Sequence, residues 1–201
     1  MKKISIVFFA SFFLFTGCAA FRGSVQEKNP RTTKPLGAKY DQSDLLSMPD
    51  EICLKIFSNP FPSPTEKTPF LVVMGIQNRT KSHLDMKALS DTISTKFLDS
   101  GKIRLIGASR RDALLKEQKY QLANCTPATR SRIGKQLGAK YMLTGSLVEI
   151  EKTSGRQIRV SKKQDVYYQL TAEITNLETG EIVVRKQVDR LRRASQPLIG
   201  W

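Results

Sequence analysis

The side chains able to do covalent or acid–base chemistry are few. The only histidine, His83, stands just before a stretch with helical periodicity, where a lone imidazole is most simply a solvated or capping group. There is no G-x-S-x-G nucleophile elbow and no H-E-x-x-H zinc motif. No serine or threonine has a lysine three positions later, and no phosphate-binding P-loop occurs. Cys53 and Cys125 with one histidine do not make an ordinary structural zinc site. The inventory points away from an enzyme, and names no catalytic residue, metal site or cofactor. One cysteine, Cys18, sits in a context that gives it a definite chemistry.

Residues 1–18 read MKKISIVFFASFFLFTGC. Lys2 and Lys3 precede an apolar run from Ile4 to Phe15, which is too short to span a bilayer and suits a signal-peptide core. Phe15-Thr16-Gly17 before Cys18 resembles a lipobox, in which the chain is cut ahead of the cysteine and the thiol receives a diacylglycerol. Residues 1–17 are therefore expected to be a lipoprotein signal peptide and Cys18 the lipid attachment site. Two or more acyl chains make such anchoring stable where one would be marginal.

The chain has 201 residues and a formal charge of +15. Removing residues 1–17 takes away only Lys2 and Lys3 among the charged residues and leaves enough chain for one domain with a real core. A basic surface attracts nucleic acid, anionic lipid or an acidic protein face. Export argues against nucleic acid, and the cations are spread along the chain rather than gathered in one arm. An oxidising compartment permits a bridge between Cys53 and Cys125, although nothing in the sequence brings them together.

Residues 18–42 are polar, rich in Lys, Arg, Thr, Gly and Pro, and read as a flexible tether. Residues 43–58 look helical, with Pro49 in a first turn and Ile52, Leu54, Ile56 and Phe57 forming an apolar face. The remainder of 43–69 is a proline-rich loop, so the compact domain is expected at 70–190. Phe70–Ile76 is a buried strand, followed by a polar turn at Asn78–Ser82. Asp85 caps a helix to Ser100, and Ile103–Ile106 is a second strand. Ser109 opens a further helix and Thr126-Pro127 another. Tyr141–Ile150, Val166–Thr175 and Glu181–Val188 form a strand and hairpin, the middle one alternating strictly. The order β-α-β-α-α-β-β-β predicts an α/β fold, a mixed sheet flanked by helices with an antiparallel C-terminal meander. Residues 191–201 form a basic tail that either packs on the domain or dangles.

Several stretches, in order, resemble the LpoB family of penicillin-binding-protein activators. They are the lipobox and tether, FLVVMGIQNRT at 70–80, LSDTISTKFLDSGKIRLI at 89–106, TRSRIGKQLGAKYMLTGSL at 129–147, and QLTAEITNLETGEIV at 169–183. Val183 and Val184 stand where the family often has an aromatic, and the segment from Arg130 to Tyr141 is shorter than in the enterobacterial form. CsgG and the amino-terminal domain of TolB are more distantly similar, which makes a CsgG-like envelope assembly or secretion lipoprotein the alternative reading.

The LpoB resemblance implies a regulator anchored by lipid in the outer membrane and facing the periplasm. It would dock, as a monomer, on a class A penicillin-binding protein and stimulate peptidoglycan synthesis. Ala19 after the lipidated cysteine implies outer-membrane sorting. The resemblance also implies that Arg130, Arg132 and Tyr141 lie on the partner-facing surface, where arginine and tyrosine are favoured anchors.

Overall fold

Asp41 starts the first helix of the described residues. Its carboxylate accepts from the Ser43 N–H at 2.9 Å, and its own N–H donates to the Asp44 carboxylate at 3.1 Å, a reciprocal capping box. Helix α1 runs Gln42–Phe57 in this computed structural model, which describes residues 25–65, 67–153 and 162–196. Pro49 lies in the middle of α1 rather than in a first turn, because the cap is at Asp41. The missing proline N–H is offset by the burial of Met48, Ile52, Cys53 and Ile56. Leu54, expected on the apolar face, is 72% exposed.

The other elements follow the expected order. Strand β1 is Phe70–Arg79, α2 Met86–Asp99, β2 Arg104–Leu105, α3 Ala108–Glu117, then a short 3₁₀ turn Leu122–Asn124 and α4 Pro127–Gln136. Strands β3 (Tyr141–Thr153), β4 (Lys162–Asn176) and β5 (Ile182–Gln196) complete the regular structure among the described residues. Asp85 caps α2 through the N–H groups of Lys87 and Ala88, and Thr126 caps α4 through that of Thr129. The cap of α3 is Gly107, two residues earlier than Ser109, and it makes no side-chain hydrogen bond. β1 also runs on into the stretch read as a polar turn.

The sheet order is β2-β1-β3-β4-β5, with β1 parallel to β2 and β3, and β3-β4-β5 an antiparallel meander. A bulge between Val73 and Ile76 breaks the alternation of β1. Leu71 and Val73 join one core and Val72 and Met74 the other, and the bulge at Gly75 (φ +88°) then turns Ile76 back to the first. Gly145 makes room there, because a Cβ on it would stand 2.4 Å from the Thr171 carbonyl oxygen and 2.6 Å from Ile76 Cδ1.

The main core lies between the sheet and α1 and α2; the smaller one lies on the opposite face under α3 and α4. Cys53 belongs to the first and Cys125 to the second, so the sheet separates them and both are free thiols. Burial and the nearby Asp50 carboxylate push the Cys53 thiol up to about 12.

Two boundaries differ from the sequence reading. α1 and residues back to Ala38 pack into the main core, so the compact unit begins well before Phe70. Residues 191–196 do not dangle, because β5 pairs with β4 out to Gln196. There Arg192 grips the fully buried Asp44 carboxylate at 2.7 and 2.8 Å, and also donates to Ser43 Oγ and the Lys39 carbonyl. Cys18, the signal peptide and residues 197–201 lie outside the described residues. Among the described residues no helix is long and apolar enough to cross a membrane.

Candidate functional site

Residues 126–137 carry two of the three candidate contact residues. The Thr126 cap and Pro127 start α4, and Ile133 and Leu137 anchor it on the smaller core. Arg130 and Arg132 are two positions apart, so they project from different sides of the helix. Arg132 is exposed: its Nη2 donates to Tyr120 Oη at 2.6 Å and its guanidinium lies 5.7 Å from the Tyr120 ring centroid. The two make a cation–π platform at the surface. Tyr120 has no motif around it, and only the fold brings it to Arg132.

Arg130 turns inward. Its Nη2 donates to the Leu122 carbonyl at 3.3 Å, and its Nε is buried without a hydrogen-bond partner. Tyr141 is not on the surface. It is 7% exposed and meets Phe61 edge-on, with ring centroids 5.1 Å apart at 79°. It starts β3 on the main-core face, and this burial removes it from the candidate contact set in this structure. His83 is exposed in the turn between β1 and α2.

Arg130 lines a groove of about 860 Å³ between α2 and α3. The groove exists because β2 is so short. It pairs only with Phe70 and Leu71, and Gly107 then begins α3, so among the described residues no strand covers this edge of β1 further on. Two side chains serve the exposed edge. Arg111 Nη1 donates to the Val73 carbonyl at 2.5 Å, and Ser90 Oγ accepts from the Ile76 N–H at 3.3 Å while donating to the Met86 carbonyl. Arg111 also pairs with Asp112 at 2.8 Å, and Lys87 with Asp91 at 3.2 Å. Among the described residues no carboxylate pairs with Arg130. The arrangement brings no nucleophile or acid–base pair together; what it offers is recognition, through an apolar trough, a sheet edge and one uncompensated cation.

Residues 46–189 match the family model described as peptidoglycan-synthase activator LpoB. The LpoB C-terminal domain from Salmonella enterica is similar in structure, with a TM-score of 0.53 and 18% identity over 70% of this chain and 93% of that one. The NMR structure of Escherichia coli LpoB gives a TM-score of 0.51 and 18% identity, covering 88% of this chain and 77% of that one. No curated protein sequence matches the chain. At this identity the structural likeness establishes the α/β fold with its curled mixed sheet. The family match covers most of the chain and includes most of α1, in keeping with the place of that helix in the main core. This chain belongs to the LpoB family of peptidoglycan-synthase activators.

Proposed function

We propose that this protein is an outer-membrane lipoprotein, anchored through Cys18 and facing the periplasm, that binds and activates a class A penicillin-binding protein. It acts as a monomeric regulator and not as an enzyme, with no cofactor, metal or nucleic acid. The observation that carries this reading is the family match over residues 46–189. The partner surface is assigned to the outer side of α4, with the Arg132–Tyr120 platform as the exposed anchor; Arg130, which turns into the groove, is left out of it. Tyr141, buried under Phe61 on the opposite face of the sheet, takes no part in that surface.

Activation by docking requires only that the lipoprotein bind the active conformation of the synthase more tightly than the resting one. A basic domain meeting an acidic patch would also hasten encounter. Ala38 is buried, so the reach of the domain from its anchor is set by about 20 residues after Cys18, roughly 70 Å when fully extended.

The test is reconstituted glycan polymerisation from lipid-linked precursor by the class A synthases of the same organism, with and without residues 19–201. The expected result is a several-fold faster rate with one of them, reduced about tenfold in apparent affinity by Arg132→Glu. No stimulation of any synthase would overturn the reading.

A further inference from the structure

The groove between α2 and α3 has a shape and a charge that the activator reading does not use. Six consecutive residues of β1, Val73 to Asn78, line it, so it runs along the strand. At about 3.3 Å per residue its floor is roughly 20 Å long, the length of a five- or six-residue extended peptide. Its walls are apolar, with Met86 and Leu98 on α2 facing Leu105 and Ile106, and Met74 and Ile76 below. Alternate side chains of an extended chain suit such walls, and methionines adapt to differing shapes.

The backbone of the floor is a sheet edge held open. Arg111 supplies the Val73 carbonyl with the hydrogen bond that a neighbouring strand's N–H would give, and Ser90 receives the Ile76 N–H. These two side chains satisfy the edge while no strand covers it, and the bulge at Gly75 between them limits any ladder to a short one. An arriving peptide exchanges with side-chain partners and leaves no backbone group orphaned.

The charges select the sequence of the occupant. Five ionisable side chains line the groove: Lys87, Asp91, Arg111, Asp112 and Arg130. Lys87 pairs with Asp91 and Arg111 with Asp112, which leaves Arg130 with a buried, unpartnered Nε and no counter-charge among the described residues. An apolar occupant would desolvate that guanidinium without compensation, and a basic one would be repelled. A carboxylate gives it a charge-assisted partner.

We infer that this groove binds an extended peptide segment that lies along β1 and places an acidic side chain on Arg130. The site stands apart from the Arg132–Tyr120 platform, and its existence does not depend on the activator reading.

The test is selection of random linear octapeptides displayed on phage against residues 19–201, followed by synthesis of the consensus peptide. The expected consensus alternates apolar or β-branched residues and contains Asp or Glu. Added to ¹⁵N-labelled protein, it should shift the amide resonances of Val73–Asn78 and of α2. Changing its acid to the amide, or using Arg130→Gln, should weaken binding about tenfold, while the distant Arg193→Gln should leave it unchanged. If Arg130→Gln loses the dispersed spectrum of a folded protein, Ser94→Phe, which fills the groove from α2, serves instead and should abolish binding. No enrichment, a consensus without an acid, or shifts confined to another surface would each overturn the inference. None of these results bears on stimulation of a synthase, which is read at Arg132.

Discussion

The two faces of the sheet are built to different standards. The face under α1 and α2 buries more than twice as many apolar side chains as the other among the described residues. It is also stitched at its margin by ion pairs: Asp44 to Arg192, Glu51 to Lys55 and Arg190, and Asp50 to Arg31 and Lys96. Among the described residues the opposite face is covered only over β1 and the start of β3. Beyond that cover, Ile150, Tyr167 and Leu191 stand in register across three strands, with Ile150 51% and Leu191 70% exposed. The Arg132–Tyr120 platform belongs to the thinly covered side, and the groove lies at the sheet edge where the two sides meet, between α2 and α3. A domain that works by docking can place its stability on one face and leave the other free to present edges and anchors.

The sharpest way to break this division is at Arg192. Asp44 is 0% exposed and its carboxylate is held by the Arg192 guanidinium, so Arg192→Met leaves a buried charge without its partner. The expected cost is about 3–5 kcal/mol, read from urea unfolding followed by circular dichroism. Because α1 is part of the main core, the loss should appear in one cooperative transition. A separate early transition for α1, with the rest of the domain unaffected, would show that the helix is an appendage and that the thick face ends at the sheet.

A paired truncation sharpens the comparison. Ile52 and Ile133 are both fully buried, the first on α1 in the main core and the second on α4 in the smaller one. Truncation of either to alanine removes the same atoms, so any difference reports how far the surroundings relax into the cavity. Ile52→Ala is expected near the upper end of the usual range, about 4 kcal/mol, and Ile133→Ala near the lower end, about 2 kcal/mol. Equal losses in urea midpoint at unchanged m-value would mean that the smaller core is as tightly set as the larger one.

The same division explains what could be read from the residues alone. The uninterrupted apolar run of β1, the strict alternation of Val166 to Ile174, and the caps at Asp85 and Thr126 are local signals, and each element stands where they place it. α1 is legible as a helix but not as core, because the surfaces that bury Met48 and Cys53 come from α2 and strands far along the chain. The ends of β4 and β5 are charged and carry no strand pattern; pairs such as Arg193 with Asp165 hold them in the hairpin. Arg130 and Arg132 look alike in sequence, yet one turns into the groove and the other onto Tyr120. Tyr141 has the side chain of an interface anchor, but its parity on β3 puts it under Phe61. The groove has no motif, since it arises from the shortness of β2.

A smaller effect separates the ionic margin from the apolar core. Burial pushes the Asp50 carboxyl up, but hydrogen bonds from Lys96 and Arg31 outweigh it and hold the group below its usual range. Glu51 is likewise raised by burial and lowered further by Lys55 and Arg190. Each folded-state value thus lies below the unfolded one, so the stability they contribute is present above the ordinary carboxylate range and is lost as pH falls through the lowered values. Both groups are partly exposed and screened, which keeps the contribution modest. Thermal midpoints followed by circular dichroism should be level from pH 7 to about 5 and decline below about pH 4. Arg190→Gln removes one of the two cations that lower Glu51 and should make the decline shallower. An unchanged decline would assign the acid sensitivity to carboxylates elsewhere and leave the margin of α1 held by its apolar contacts.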